Sequence, residues 1–150
     1  MKKIIWFSFF CALSLDAIAQ QPINNFTHGS YKQIVNQYKQ QPFVMVLWSL
    51  DCPPCYKELE LLADERRKHD FNLVLISTDG ADARNEVASV LNKYNLQSVN
   101  SWLFDEFSSQ HLRYEIDPAW YGELPRSYLF DSVHQRKSIS GVLSTDQLPK

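Results

Sequence analysis

Residues 43–58 read Phe43-Val44-Met45-Val46-Leu47-Trp48-Ser49-Leu50-Asp51-Cys52-Pro53-Pro54-Cys55-Tyr56-Lys57-Glu58. The first six residues are all apolar, and their length and β-branched content fit a strand buried on both faces. Cys52-Pro53-Pro54-Cys55 then opens a new element. Proline is tolerated in the first turn of a helix, where its missing N–H has no partner to lose. Leu59, Leu61, Leu62 and Ala63 supply an apolar helical face up to about His69. A buried strand, a cysteine-bearing turn and a helix therefore follow one another directly.

The flanking sequence repeats this alternation. Tyr31, Ile34, Val35 and Tyr38 recur at helical spacing within 30–40, with Ser30 placed to cap and Pro42 to end the helix. Phe71–Ser77 is a second buried-strand run, closed by Thr78-Asp79-Gly80. Ala83–Tyr94 reads as a helix with Val87, Val90 and Leu91 inward. Trp102–Phe104 reads as a short strand, 108–116 as a helix, and Arg126–Phe130 as a strand with a hairpin partner in His134–Ser140. Ser144–Gln147 opens a final helix that the chain barely begins. Alternating strands and helices predict an α/β fold. Its mainly parallel sheet is covered on both faces, and the closing hairpin adds antiparallel character. Chemistry is expected in the loop leaving the 43–48 strand at its carboxyl end.

The totals bound the function. The chain has 150 residues, enough for one core. With 45% hydrophobic and 21% charged residues it is globular. A net charge of −2 gives no electrostatic reason for a nucleic-acid partner. Three cysteines are too few for a disulfide-stapled scaffold.

Residues 1–19 are a separate object. Lys2 and Lys3 precede an apolar run from Ile4 to Leu15, and Asp16-Ala17-Ile18-Ala19 ends it with small residues. This is the layout of a secretory signal peptide cut after Ala19; left uncut, it would be a membrane anchor. Cys11 leaves with the peptide, and Cys52 and Cys55 remain. Residues 20–29 are polar and read as a flexible lead-in to a domain over 30–150. The brief two-lysine start points to a bacterium, and hence to the periplasm, an oxidising compartment in which such a pair can cycle as a disulfide.

Two cysteines three apart at a helix start can close a small disulfide ring. The first lies near the unpaired N–H groups of the opening turn, which favour the thiolate that attacks disulfides. Other readings exist. A C-x-x-C can be half of a zinc site, but that needs two more ligands, and His28, His69, His111 and His134 show no paired spacing. A purely structural disulfide across so short a loop gains little entropy from closure.

The segment Phe43–Glu58 resembles the active-site segment of thioredoxin-fold proteins, and most of all the exported TlpA/ResA-like reductases. Their pattern is an apolar strand, a Trp, a Cys-x-Pro-Cys and a Glu three residues on. A second match, Leu124-Pro125-Arg126-Ser127-Tyr128-Leu129-Phe130-Asp131, resembles their cis-proline segment and the strand after it. The resemblance spans roughly residues 30–147. It implies a thioredoxin-like fold, a central mixed sheet with helices on both faces, and a protein thiol–disulfide oxidoreductase acting as a reductase.

Within that resemblance Cys52 attacks, Cys55 resolves, and Glu58 moves a proton to or from Cys55. Pro125 is cis and exposes the backbone of Leu124 for an extended substrate segment, and Trp48 contributes to the substrate side. Electrons come from a membrane thiol donor of the DsbD type, partners are exported proteins with disulfides, and no cofactor or metal is required. Thioredoxin itself carries an acid at the position of Val46, so here the acid must come from elsewhere. Two departures stand out. Asp51 replaces the family's usual Trp, and its charge disfavours a Cys52 thiolate. The terminal helix is also cut short. Rival readings are an oxidase or isomerase using the same cysteines, and a metal-handling or redox-inactive binding module.

Overall fold

The computed structural model describes residues 21–105 and 109–149. The signal-peptide reading of 1–19, with Cys11 and the cut after Ala19, lies outside the described residues. Ten elements follow in order: β1 (Asn24–Phe26), α1 (Ser30–Gln37), β2 (Phe43–Trp48), α2 (Pro53–Lys68), β3 (Asn72–Ser77), α3 (Arg84–Lys93), β4 (Asn100–Phe104), α4 (Ser109–Ile116), β5 (Arg126–Phe130) and β6 (Arg136–Ser140). Single 3-10 turns lie at Ala81–Ala83 and Thr145–Gln147.

The strands form one sheet in the order β1-β4-β3-β2-β5-β6. β1, β4, β3 and β2 run parallel, while β5 pairs antiparallel with β2 and β6 antiparallel with β5. All six residues of β2 are buried, as a central strand covered on both faces requires. Alternate residues divide between two cores. Val44, Val46 and Trp48 face α2 and α3 with Leu59, Leu62, Val87 and Leu91. Met45 and Leu47 face α1 and α4 with Ile34, Leu112 and Ile116. The expected mixed α/β sheet with helices on both faces is what the chain forms.

The register of β2 against β5 is anchored by an aromatic pair. Phe43 lies opposite Phe130, and their rings stack 4.2 Å apart, a cross-strand contact of the kind that fixes sheet pairing. The same register sets Leu47 opposite Arg126. The end of β2 and the start of β5 therefore meet at one edge of the sheet. α2 runs back from that edge, with Arg66, Arg67 and Lys68 in its last turn, where cations suit the helix dipole.

Three local readings differ from the structure. The stretch taken as a flexible lead-in contains β1, which adds to β4 with Asn25 opposite Leu103. Only Phe26 of its three residues points inward, so the signal in sequence was a single side chain. Phe26 is wholly buried and sits against the rings of Trp102 and Phe104. Ser30 is not the cap of α1. Gly29, at φ 86°, holds that place, and Ser30 Oγ accepts from the Thr27 N–H at 2.9 Å. The short terminal helix is the 3-10 turn at Thr145–Gln147, closed by a Ser144–Gln147 capping box. Leu143 and Leu148 on either side of it are buried in the α2-side core.

Phe26→Ala is expected to lower stability by about 3–5 kcal/mol, the usual result of emptying a buried aromatic site. Urea denaturation measures it. A loss below about 0.5 kcal/mol, typical of surface positions, would return 24–26 to the role of a lead-in.

Candidate active site

The turn leaving β2 is built by local hydrogen bonds before any chemistry is considered. The Cys52 N–H donates to Ser49 O at 3.2 Å and the Cys55 N–H to Cys52 O at 2.9 Å. Cys52 is the N-cap of α2, with prolines at the first positions, so the sequence reading of this helix start holds. Cys52 and Cys55 are joined as a disulfide, their Cα atoms 5.3 Å apart. Cys52 retains 8% exposure and Cys55 none. Cys52 is therefore the less deeply buried of the two.

The turn is also held from a distance by Asp79, on the segment after β3. Its carboxylate accepts from Ser49 Oγ at 2.9 Å, from the Leu50 N–H at 3.1 Å and from Ser77 Oγ at 2.5 Å. Tyr56 Oη donates to Leu50 O at 2.9 Å from the far side. By sequence alone Thr78-Asp79-Gly80 reads as a turn that closes the β3 run. The Ser77–Asp79 pair at the carboxyl end of a neighbouring parallel strand was the only hint.

Across from this turn lies the start of β5. The Leu124–Pro125 bond is cis, as the resemblance implies. Pro125 O accepts from the Gly141 N–H at 2.9 Å. Leu124 packs against both cores at once, the one holding Cys52 and Cys55 and the one holding Trp120. Trp48, expected to contribute to substrate binding, is only 1% exposed. It lies in the same core as the two cysteines, and its carbonyl accepts the Thr78 N–H at 2.9 Å. Its side chain therefore backs the site from inside rather than facing a partner.

Glu58 is the buried charge of the site, with no exposed surface. Its Oε2 accepts from the Leu143 N–H at 2.7 Å and its Oε1 from Ser127 Oγ at 3.4 Å. Burial raises its carboxyl above the ordinary Glu value, and the two hydrogen bonds only partly offset this. Ser127 lies opposite Val46 in the β2–β5 ladder. The carboxyl of Glu58 therefore reaches the level of the central strand where the sequence lacks an acid of its own.

A second polar group supports the proline segment from behind. Arg126 Nη2 meets Asp117 Oδ2 at 3.0 Å, Arg136 Nη2 meets Asp117 Oδ1 at 3.5 Å, and Tyr128 Oη donates to Asp117 at 3.0 Å. Burial acts to raise the Asp117 carboxyl, but the Ala119 N–H, Arg126, Tyr128 and Arg136 outweigh it and hold it below the usual range. The Tyr128 hydroxyl is pushed up to about 12 by burial, with Asp117 adding to it.

No family model matches the chain, and a search of curated proteins finds no match. Solved structures do resemble it. One is a secreted Mycobacterium tuberculosis disulfide oxidoreductase homologous to E. coli DsbE, 18% identical, covering 75% of this chain and 80% of that one at a TM-score of 0.58. Another is a secreted thiol-disulfide isomerase from Corynebacterium glutamicum, 12% identical, covering 75% and 69% at 0.58. A third is a thiol:disulfide interchange protein of the thioredoxin family from Chlorobium tepidum, 16% identical, covering 73% and 76% at 0.57. These likenesses establish the fold, which is thioredoxin-like.

Glu58 gives a pH test with a definite sign. A carboxyl whose folded pKa is raised binds its proton more tightly in the native state. Its contribution to stability is therefore complete below the unfolded pKa and is lost as pH rises through the raised value. Glu58→Gln keeps an oxygen for the Leu143 N–H and removes the titration. Denaturation between pH 4 and 8 should show a smaller fall in stability with rising pH for this variant than for the parent. Identical slopes would contradict a raised Glu58.

Proposed function

We propose that this chain is an exported, periplasmic thiol–disulfide oxidoreductase of the TlpA/ResA-like group, and that it reduces disulfides in exported proteins. One observation carries the reading: a Cys52–Cys55 disulfide at the N-terminus of α2, its first cysteine 8% exposed and its second wholly buried, opposite a cis-proline and with a buried carboxyl, Glu58, three residues on. The solved structures of the same fold that carry secreted oxidoreductase and isomerase names support it.

The proposed cycle starts from the dithiol. The Cys52 thiolate attacks one sulfur of a substrate disulfide, forming a mixed disulfide and releasing one substrate thiolate. The Cys55 thiol then loses its proton to Glu58, and the Cys55 thiolate attacks Cys52 Sγ. The Cys52–Cys55 bond forms, the mixed disulfide breaks, and the second substrate thiolate leaves. The substrate gains two electrons and the protein loses two. The released thiolates take up protons from Glu58 and water. A membrane thiol donor of the DsbD type returns the two electrons. Glu58 suits the proton step because burial brings its pKa toward the working pH.

Substrate recognition in this reading uses the backbone of Leu124. Neither its N–H nor its C=O joins a hydrogen bond among the described residues. Both are available to an extended segment that adds to the site as a strand.

Mixed-disulfide trapping tests the cycle. Reduced Cys55→Ser protein mixed with a cystine-containing peptide should accumulate a covalent adduct through Cys52, and Cys52→Ser should form none. Glu58→Gln should still form the adduct but resolve it about a hundredfold more slowly, in the range of a lost acid–base group. Equal trapping by both serine variants, or by neither, would contradict the assignment.

A further inference from the structure

Just upstream of the cis-proline lies a recess that the cysteine chemistry does not use. A cleft of about 350 Å³ opens between α4 and the turn that follows it, with Arg113, Tyr114, Asp117, Trp120 and Tyr121 in its walls. Arg113 is set into one wall. Its guanidinium carbon stands 5.8 Å from the centre of the Trp120 ring. Gly122, at φ 97°, makes room for it, since a Cβ there would lie 3.3 Å from Arg113 Nη1.

The ion-pair network that reaches this recess through Asp117 leaves Arg113 out. Asp117 is already shared between Arg126 and Arg136, and Glu123 is paired with Arg126. Arg113 Nε is buried with no hydrogen-bond partner, and no acidic side chain pairs with Arg113 among the described residues. Both carboxylates of the network are thus committed to Arg126 and Arg136, and Arg113 is left without one. The buried Nε lies out of a ligand's reach, so recognition falls to the terminal nitrogens of Arg113, and a guanidinium matches a carboxylate.

Two exposed aromatics flank the cation. Tyr114 is 68% exposed and Tyr121 95%. A small ion has no use for such surfaces, whereas a polypeptide packs on them. The wall of the recess is tied through the chain to the cis-proline segment of the redox site. Tyr121 lies four residues before Pro125, Trp120 Nε1 donates to Glu123 O at 2.9 Å, and Leu124 touches both the core of Trp120 and that of the cysteines.

We propose that this recess is a specificity subsite for a Glu or Asp side chain of the polypeptide substrate, paired with Arg113 and packed between Tyr114 and Tyr121. The proposal rests on the thiol–disulfide reading above. It also runs against the chain's net charge of −2, which by itself favours basic peptides, so a preference for acidic ones reports the local site.

Two matched peptide sets separate this proposal from the reading beneath it. Each set carries Glu or Lys at successive positions around a central cystine, or around Ser in its place. Binding of the Ser set to the oxidised protein is followed by calorimetry, and reduction of the cystine set by thiol release. At one position Glu should be favoured over Lys by about fivefold in both readouts, the upper end for a partly exposed ion pair. High salt should erode the preference. Arg113→Gln should bring the ratio to about one while leaving the reduction potential of Cys52–Cys55 unchanged, and Arg113→Lys should keep part of it. A Glu preference in binding without any cystine reduction would support the subsite and overturn the redox reading. Reduction with no Glu preference, or a preference that survives Arg113→Gln, would overturn the subsite and leave the redox reading standing.

Discussion

The antiparallel pairing of β2 with β5 positions everything else in this site. β2 ends at Trp48, one residue beyond its partner position with Arg126, and β5 begins directly after the cis-proline. The stacked Phe43–Phe130 pair at the other end holds that register. A slip of one residue would turn the buried face of either strand outward. The cysteine turn would then lose its place opposite Pro125, and Ser127 its place under Glu58. Two segments more than sixty residues apart in sequence are thus brought to one edge by hydrophobic pairing that itself carries no chemistry.

A buried carboxyl at the heart of this arrangement is a cost that the fold contains rather than removes. Glu58 loses all contact with water and gains two hydrogen bonds, one from Ser127 on β5 and one from the Leu143 N–H. Such partners compensate desolvation only in part, so the carboxyl holds its proton above the ordinary range. Leu143 is itself anchored in the α2-side core together with Leu148. The segment leading into the last 3-10 turn therefore does two jobs. It covers the sheet, and it supplies the shortest hydrogen bond to Glu58.

Local pattern made the main elements legible. The apolar run of β2, the prolines at the head of α2 and the spacing of Leu59 and Leu62 each state a preference that tertiary packing agrees with. The cysteine pair was legible from its spacing at a helix start, and Pro125 from the resemblance carried by residues 124–131. What escaped was non-local. β1 hides its one inward residue, Phe26, in a polar stretch. Asp79 grips a turn thirty residues away. Leu143 reaches Glu58 across 85 residues. The resemblance implies a substrate-side role for Trp48, yet strand alternation sends it inward with Val44 and Val46. Periodicity reports which face a residue is on, and it is silent about which distant group it will meet.

The direction in which electrons cross Cys52–Cys55 decides what the site is for. Equilibrating the protein in glutathione and dithiothreitol buffers, with thiols read by alkylation, measures it directly. The account predicts a potential near or below that of thioredoxin, about −270 mV, as a reductase recharged by a strong thiol donor requires. A potential near about −120 mV, that of the strong periplasmic oxidant, would contradict it and make the same residues an oxidase.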